Sequence, residues 1–126
     1  MIQSLLIIAF FTFLSGMVEA HEMTPSYPTL KPSHVGGIWK TELELFNKRK
    51  DVEYYEIGVF TEDWQPIPFV SAYKVAHVRY LGHLKFDVYI RKADANIATY
   101  VCSQSKLRGN GTGTLLASRI CSKFQQ

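Results

Sequence analysis

The chain has 126 residues, 14 Lys and Arg against 11 Asp and Glu, a net charge of +3, 47% hydrophobic residues and two cysteines. That length excludes more than one ordinary domain but allows one hydrophobic core. The bases are scattered apart from Lys48-Arg49-Lys50, which reads with Asp51 as a solvated turn, so nucleic acid is not among the expected partners.

Residues 1–20 read as a secretory signal peptide. The apolar run from Leu5 to Leu14 is followed by small and polar residues ending Val18-Glu19-Ala20, which places cleavage before His21. The run is short for a bilayer span, and no basic stop-transfer cluster follows it. The expected product is exported, periplasmic or secreted, with no stable membrane span after cleavage. Residues 21–126 form its single domain. Removing 20 of 126 residues leaves 106, with 14 bases against 10 acids because Glu19 departs.

From His21 onward the hydrophobic pattern has period two and turn residues at the spacing of an all-β sandwich. Pro25, Pro28 and Pro32 confine residues 22–33 to an edge strand. Ile38 to Phe46 is a clear strand, with Thr41, Leu43 and Leu45 on one face and Lys40, Glu42 and Glu44 on the other. After a turn at 47–51, Val52 to Phe60 is the next strand, with Tyr55, Ile57 and Val59 on one side. Glu62-Asp63-Trp64-Gln65-Pro66 is a polar interruption whose carboxylates read as solvated. A kinked stretch through Pro66 and Pro68 leads into Phe69 to Ala72.

Lys74 to Leu81 and Leu84 to Arg91 predict a hairpin around Gly82-His83. Lys92 to Asn96 is a corner, helical for one turn at most. Ile97 to Ser105 and Ala117 to Phe124 are the last strands, joined by a glycine-rich connection from Leu107 to Leu116. Cys102 and Cys121 fall on these two neighbours. An even cysteine count in an oxidising compartment predicts one structural disulfide between them. The spacing is not the C-x-x-C of a redox site.

About seven strands in this order predict an antiparallel β-sandwich of immunoglobulin type. Tyr100, two residues before Cys102 and just after a corner, has the spacing of that fold's tyrosine corner, in which the phenol bonds back to the corner's backbone.

Within residues 38–92, the segments Thr41-Glu42-Leu43-Glu44-Leu45-Phe46-Asn47, Tyr54 to Phe60, Pro68-Phe69-Val70-Ser71 and Leu81-Gly82 to Ile90-Arg91 resemble the first domain of periplasmic pilus-assembly chaperones. The resemblance implies a non-catalytic, chaperone-like module that binds a protein partner, such as an incomplete immunoglobulin-like subunit, by edge-strand addition. The strand so used would be the last, with Leu116, Ile120 and Phe124 in one phase and Arg119 and Lys123 in the other. These five are the candidate partner-binding residues, and no cofactor is expected. The first strand has no arginine, so the family's carboxylate-anchoring pair is not carried over.

The alternative reading is a small exported copper protein. Cleavage before His21 would leave an amino-terminal histidine whose amine and imidazole chelate copper, with a second imidazole, His83 in the candidate pair, completing the site. The sequence shows no nucleophile elbow or zinc-protease helix, and an enzyme is not expected. Asn110-Gly111-Thr112 has the form of a glycosylation sequon.

Overall fold

The computed structural model describes residues 21–106 and 117–125. Among the described residues, eight strands and one helical turn follow in the order β1 (Glu22–Thr24), β2 (Lys31–Pro32), β3 (Ile38–Phe46), β4 (Tyr54–Phe60), β5 (Val75–His77), β6 (His83–Arg91), α1 (Lys92–Ala95), β7 (Tyr100–Lys106) and β8 (Arg119–Lys123). All pairings are antiparallel, and they make two four-stranded sheets. The chain is an immunoglobulin-like β-sandwich. Because β1 and β2 both lie along one side of β3, they are two pieces of a single interrupted edge, which reconciles eight segments with about seven strands.

In the first sheet β3 is central, with β1 and β2 on one side and β6 on the other; in the second the order is β5, β4, β7, β8. The alternation of β3 is realised: Thr41, Leu43 and Leu45 are buried while Glu42 is exposed. Their partners on β6 are Val88, Phe86 and Leu84, of which the first two are buried. Tyr55, Ile57 and Val59 of β4 and Val101 of β7 close the core from the other sheet. Each of these large apolar side chains stabilises the fold by about 1.5–3 kcal/mol through removal from water.

Several expectations are corrected. The segment from Lys74 to Arg91 is not a hairpin: β6 pairs with β3, whereas β5 pairs with β4 in the opposite sheet. The chain crosses between sheets at residues 78–82. There the Leu81 N–H bonds the Asn47 carbonyl at 2.7 Å, and the Asn47 N–H bonds Gly82 at 3.1 Å. The stretch from Phe69 to Ala72 contributes one bridge, between Val70 and Tyr89, and Pro68 ahead of it cannot donate to a ladder. Arg49 is not a solvated turn residue. It folds into the end of the sandwich at 7% exposure and grips both carboxylate oxygens of Asp51, at 2.9 and 2.6 Å. That hydrogen-bonded pairing holds the Asp51 carboxyl below its ordinary range.

The disulfide joins Cys102 and Cys121, which face each other directly across β7 and β8. No helix among the described residues is long and apolar enough to cross a membrane.

Candidate functional site

The last strand, β8, lies at the margin of the second sheet. The Ser105 N–H donates to the Ser118 carbonyl, and the Phe124 N–H to that of Thr99. By the alternation of an antiparallel ladder, the backbones of Ser118, Ile120, Ser122 and Phe124 therefore face β7, while those of Arg119, Cys121 and Lys123 face away. The far end of this outer side is occupied, because Lys123 donates to Ser26 and Gln125 to Pro28, each at 3.0 Å. So the proline-bearing edge leaves the first sheet after β1 and caps the second. Among the described residues, the outward N–H and C=O groups of Arg119 and Cys121 have no backbone partner.

The candidate side chains separate by phase. Phe124 is a core residue at 3% exposure, and Ile120 leans half-buried against the same cluster. Arg119 and Lys123 stand exposed on the outer face. Leu116, like Asn110, lies outside the described residues. What β8 presents outward is thus two backbone positions and a basic outer face, with its apolar phase turned inward.

That outer face carries residues whose role the sequence reading missed. Gly58, Cys102 and Cys121 form one row across β4, β7 and β8. The absent side chain of Gly58 makes room for the Phe60 ring, which a Cβ there would meet at 2.8 Å. Beyond Phe60, a turn closes with Thr61 N–H to Gln65 O at 2.9 Å and Trp64 N–H to Thr61 O at 3.0 Å. It holds Trp64 at a φ of 63°, the left-handed region that a bulky residue adopts at a cost of about 1–3 kcal/mol. The indole stays 45% exposed and stacks on Tyr100, ring centroids 4.3 Å apart and planes within 4°. The Arg119 guanidinium lies 4.4 Å from the centroid of Trp64 and 5.1 Å from that of Phe60.

Tyr100 therefore does not make a tyrosine corner. It shares the outward phase of Cys102, whereas Val101 and Ser103 face the core. A glycine in mid-strand followed by two aromatics was the available signal for this face.

His21 is buried at 1% exposure. Its Nε2 lies 2.8 Å from Ser103 Oγ and 3.1 Å from Ser103 O, its Nδ1 lies 3.2 Å from Ser118 Oγ, and its ring packs on Tyr55. His83 stands on the opposite side of the first sheet, stacked on Phe46 and 2.9 Å from a Glu44 carboxylate oxygen. The fold does not bring these two imidazoles together. Among the described residues no group of three or more His, Cys, Asp or Glu is placed to hold a metal ion.

Burial pushes the His21 imidazole below its ordinary 6.5, and the nearby Arg49 charge acts the same way, against the Ser103 carbonyl. The unfolded chain then takes up a proton that the folded chain refuses. Stability is expected to be complete above pH 6.5 and to fall as the pH drops through that value towards the folded imidazole's own. Urea unfolding at stepped pH checks this. Stability of His21→Gln should change less over the same window, and an unchanged slope would contradict the assignment.

No protein-family model matches the chain, and no curated protein does. Among solved structures the chain is similar to a FixG-related protein from Vibrio parahaemolyticus, at 15% sequence identity over 85% of this chain and 96% of that one, with a TM-score of 0.49.

Proposed function

We propose that the chain is an exported, non-catalytic binding module that receives an extended segment of a protein partner as an added strand on β8. The observation that carries this reading is the pair of outward backbone positions at Arg119 and Cys121, which have no backbone partner among the described residues, beside the exposed Trp64 face. Backbone hydrogen bonds to those positions supply affinity. The guanidinium and indole of the outer face select the side chains that alternate on the incoming strand. The apolar segment at 1–20 and the Cys102–Cys121 bridge support export to an oxidising compartment. Resemblance of residues 38–92 to the first domain of pilus-assembly chaperones supports a partner that lacks a strand of its own.

The test uses peptides selected from a random library on the immobilised protein. Bound peptide is expected to slow hydrogen exchange at the Arg119 and Cys121 amides. Arg119→Pro removes an outward N–H, at a place where a sheet edge tolerates proline, together with the guanidinium over Trp64, and Arg119→Ala, which removes the guanidinium alone, is the control against which it is read. Relative to that control, Arg119→Pro should weaken the same peptides about tenfold, the equivalent of one or two backbone hydrogen bonds. Protection at another edge, or equal binding by the two variants, would refute the reading.

A further inference from the structure

The outer face beside β8 carries positive charge that the chain does not answer. Arg119 and Lys123 share the phase of Cys121 and stand exposed on either side of it along the strand. Across the ladder Arg119 faces Gln104 and Lys123 faces Tyr100, so β7 offers neither of them a carboxylate. Lys106, on the same face, is already paired with Glu56 at 3.1 Å. Glu62 and Asp63, in the turn that seats Trp64, are exposed. Among the described residues neither Arg119 nor Lys123 makes an ion pair or a side-chain hydrogen bond.

The Arg119 guanidinium is nevertheless held in place. It rests against the rings of Trp64 and Phe60, with its charge 4.4 and 5.1 Å from their centroids. A guanidinium held by its face keeps its N–H donors, which lie in its plane, for an oxyanion.

We propose that the strand received on β8 carries an aspartate or glutamate facing Cys121, with its carboxylate between Arg119 and Lys123. This rests on strand addition to β8 and supplies the partner's chemistry there. In an antiparallel addition, the residue facing Cys121 forms a hydrogen-bonded pair with it and projects its side chain to the same outer face. Its diagonal neighbours on β8 are then Arg119 and Lys123, about 7–8 Å away and within reach of long side chains. Cys121 itself is tied to Cys102 and brings no charge to the position.

Other positions on the incoming strand do less well. The one facing Arg119 has a single base beside it. The place facing Lys123 is taken, because the Lys123 N–H already bonds Ser26. The incoming chain therefore turns away from the sheet just after the acidic residue, which is the last one paired. An isolated surface ion pair contributes little, but two bases converging on one carboxylate beside an indole form a small network.

The test starts from the peptides selected on the immobilised protein. Asp or Glu should be enriched at one position, two residues before the one that faces Arg119. Changing that residue to its amide should weaken binding about tenfold, and the difference should shrink as salt is raised. The double variant Arg119→Glu/Lys123→Glu, put through the same selection, should instead enrich Lys or Arg at that position, a reversal that misfolding does not produce. Peptides amidated at the carboxyl terminus should bind as well as free ones. An absence of acid enrichment, an enrichment unchanged by the double variant, or a need for the free terminus would each overturn the proposal. If the Arg119 and Cys121 amides are still protected in those cases, strand addition stands and only the acidic residue is lost. Protection at another edge would remove both.

Discussion

Asn47→Ala is expected to destabilise the chain by about 4 kcal/mol or more, a large share of the 5–15 kcal/mol that holds a typical domain. The side chain has no accessible surface. Its amide nitrogen donates to the Val52 carbonyl at 2.7 Å and the Val78 carbonyl at 2.8 Å. Its oxygen accepts from the Arg49 N–H at 2.8 Å and from the Tyr55 hydroxyl. Burial pushes the Tyr55 phenol up to about 12, so it remains a donor at any ordinary pH. One amide thus ties the end of β3 to the turn before β4 and to the crossing between the two sheets.

Alanine fills none of these roles and leaves four buried polar partners without it, each at about 1–3 kcal/mol where no water replaces the bond. Tyr55→Phe removes a single partner and should cost about 1 kcal/mol. Urea unfolding with an unchanged denaturant slope measures both. A loss below about 1 kcal/mol for Asn47→Ala would mean that water or a rearranged turn satisfies the freed groups.

Where burial follows local alternation, the sequence was legible. Ile38–Phe46 and the inward set Thr41, Leu43 and Leu45 follow directly, because a half-buried strand must place its apolar phase on one side. The single turn at Lys92–Ala95 and the cysteine pair were equally plain. Long-range geometry was not. Gly82-His83 carries a good local turn signal, but whether the strand before it joins the same sheet depends on the tie between Asn47 and Val78, which are 31 residues apart.

The same limit applies to the candidate site. The spacing of Tyr100 and Cys102 does not say which face their shared phase occupies, and here it is the outer one. Phe124 was legible as apolar, yet whether it serves the core or a partner is decided by the opposing sheet. The seat of Trp64 depends on a missing side chain at Gly58, which shows only when the strands are aligned. Arg49 looked like one of three solvated bases, because a charge run does not reveal which member finds a carboxylate such as Asp51 at the right angle.

Replacing Cys102 and Cys121 by alanine is expected to lower stability by about 3 kcal/mol. The two residues are 19 apart in sequence, and the segment between them includes Gly109, Gly111 and Gly113. In the unfolded chain glycines widen the range of conformations, so the bridge removes more entropy there than its length alone suggests. In the folded chain β8 is attached along one edge to β7, and among the described residues the remaining backbone bonds of this segment are those from Lys123 and Gln125 to residues 26 and 28. Without the bridge, β8 is the strand expected to detach first. Its loss would uncover Phe124 and Ile120 and separate Ser118 from His21. Hydrogen exchange distinguishes this from uniform weakening: protection should fall at Ile120 and Ser122 more than at Leu43 or Val88 in the first sheet. Equal loss at all four would show that the sandwich opens as one unit and that the bridge acts on the unfolded chain alone. If β8 is the labile strand, reduction should also abolish peptide capture at Arg119 and Cys121 under conditions in which most of the core remains folded.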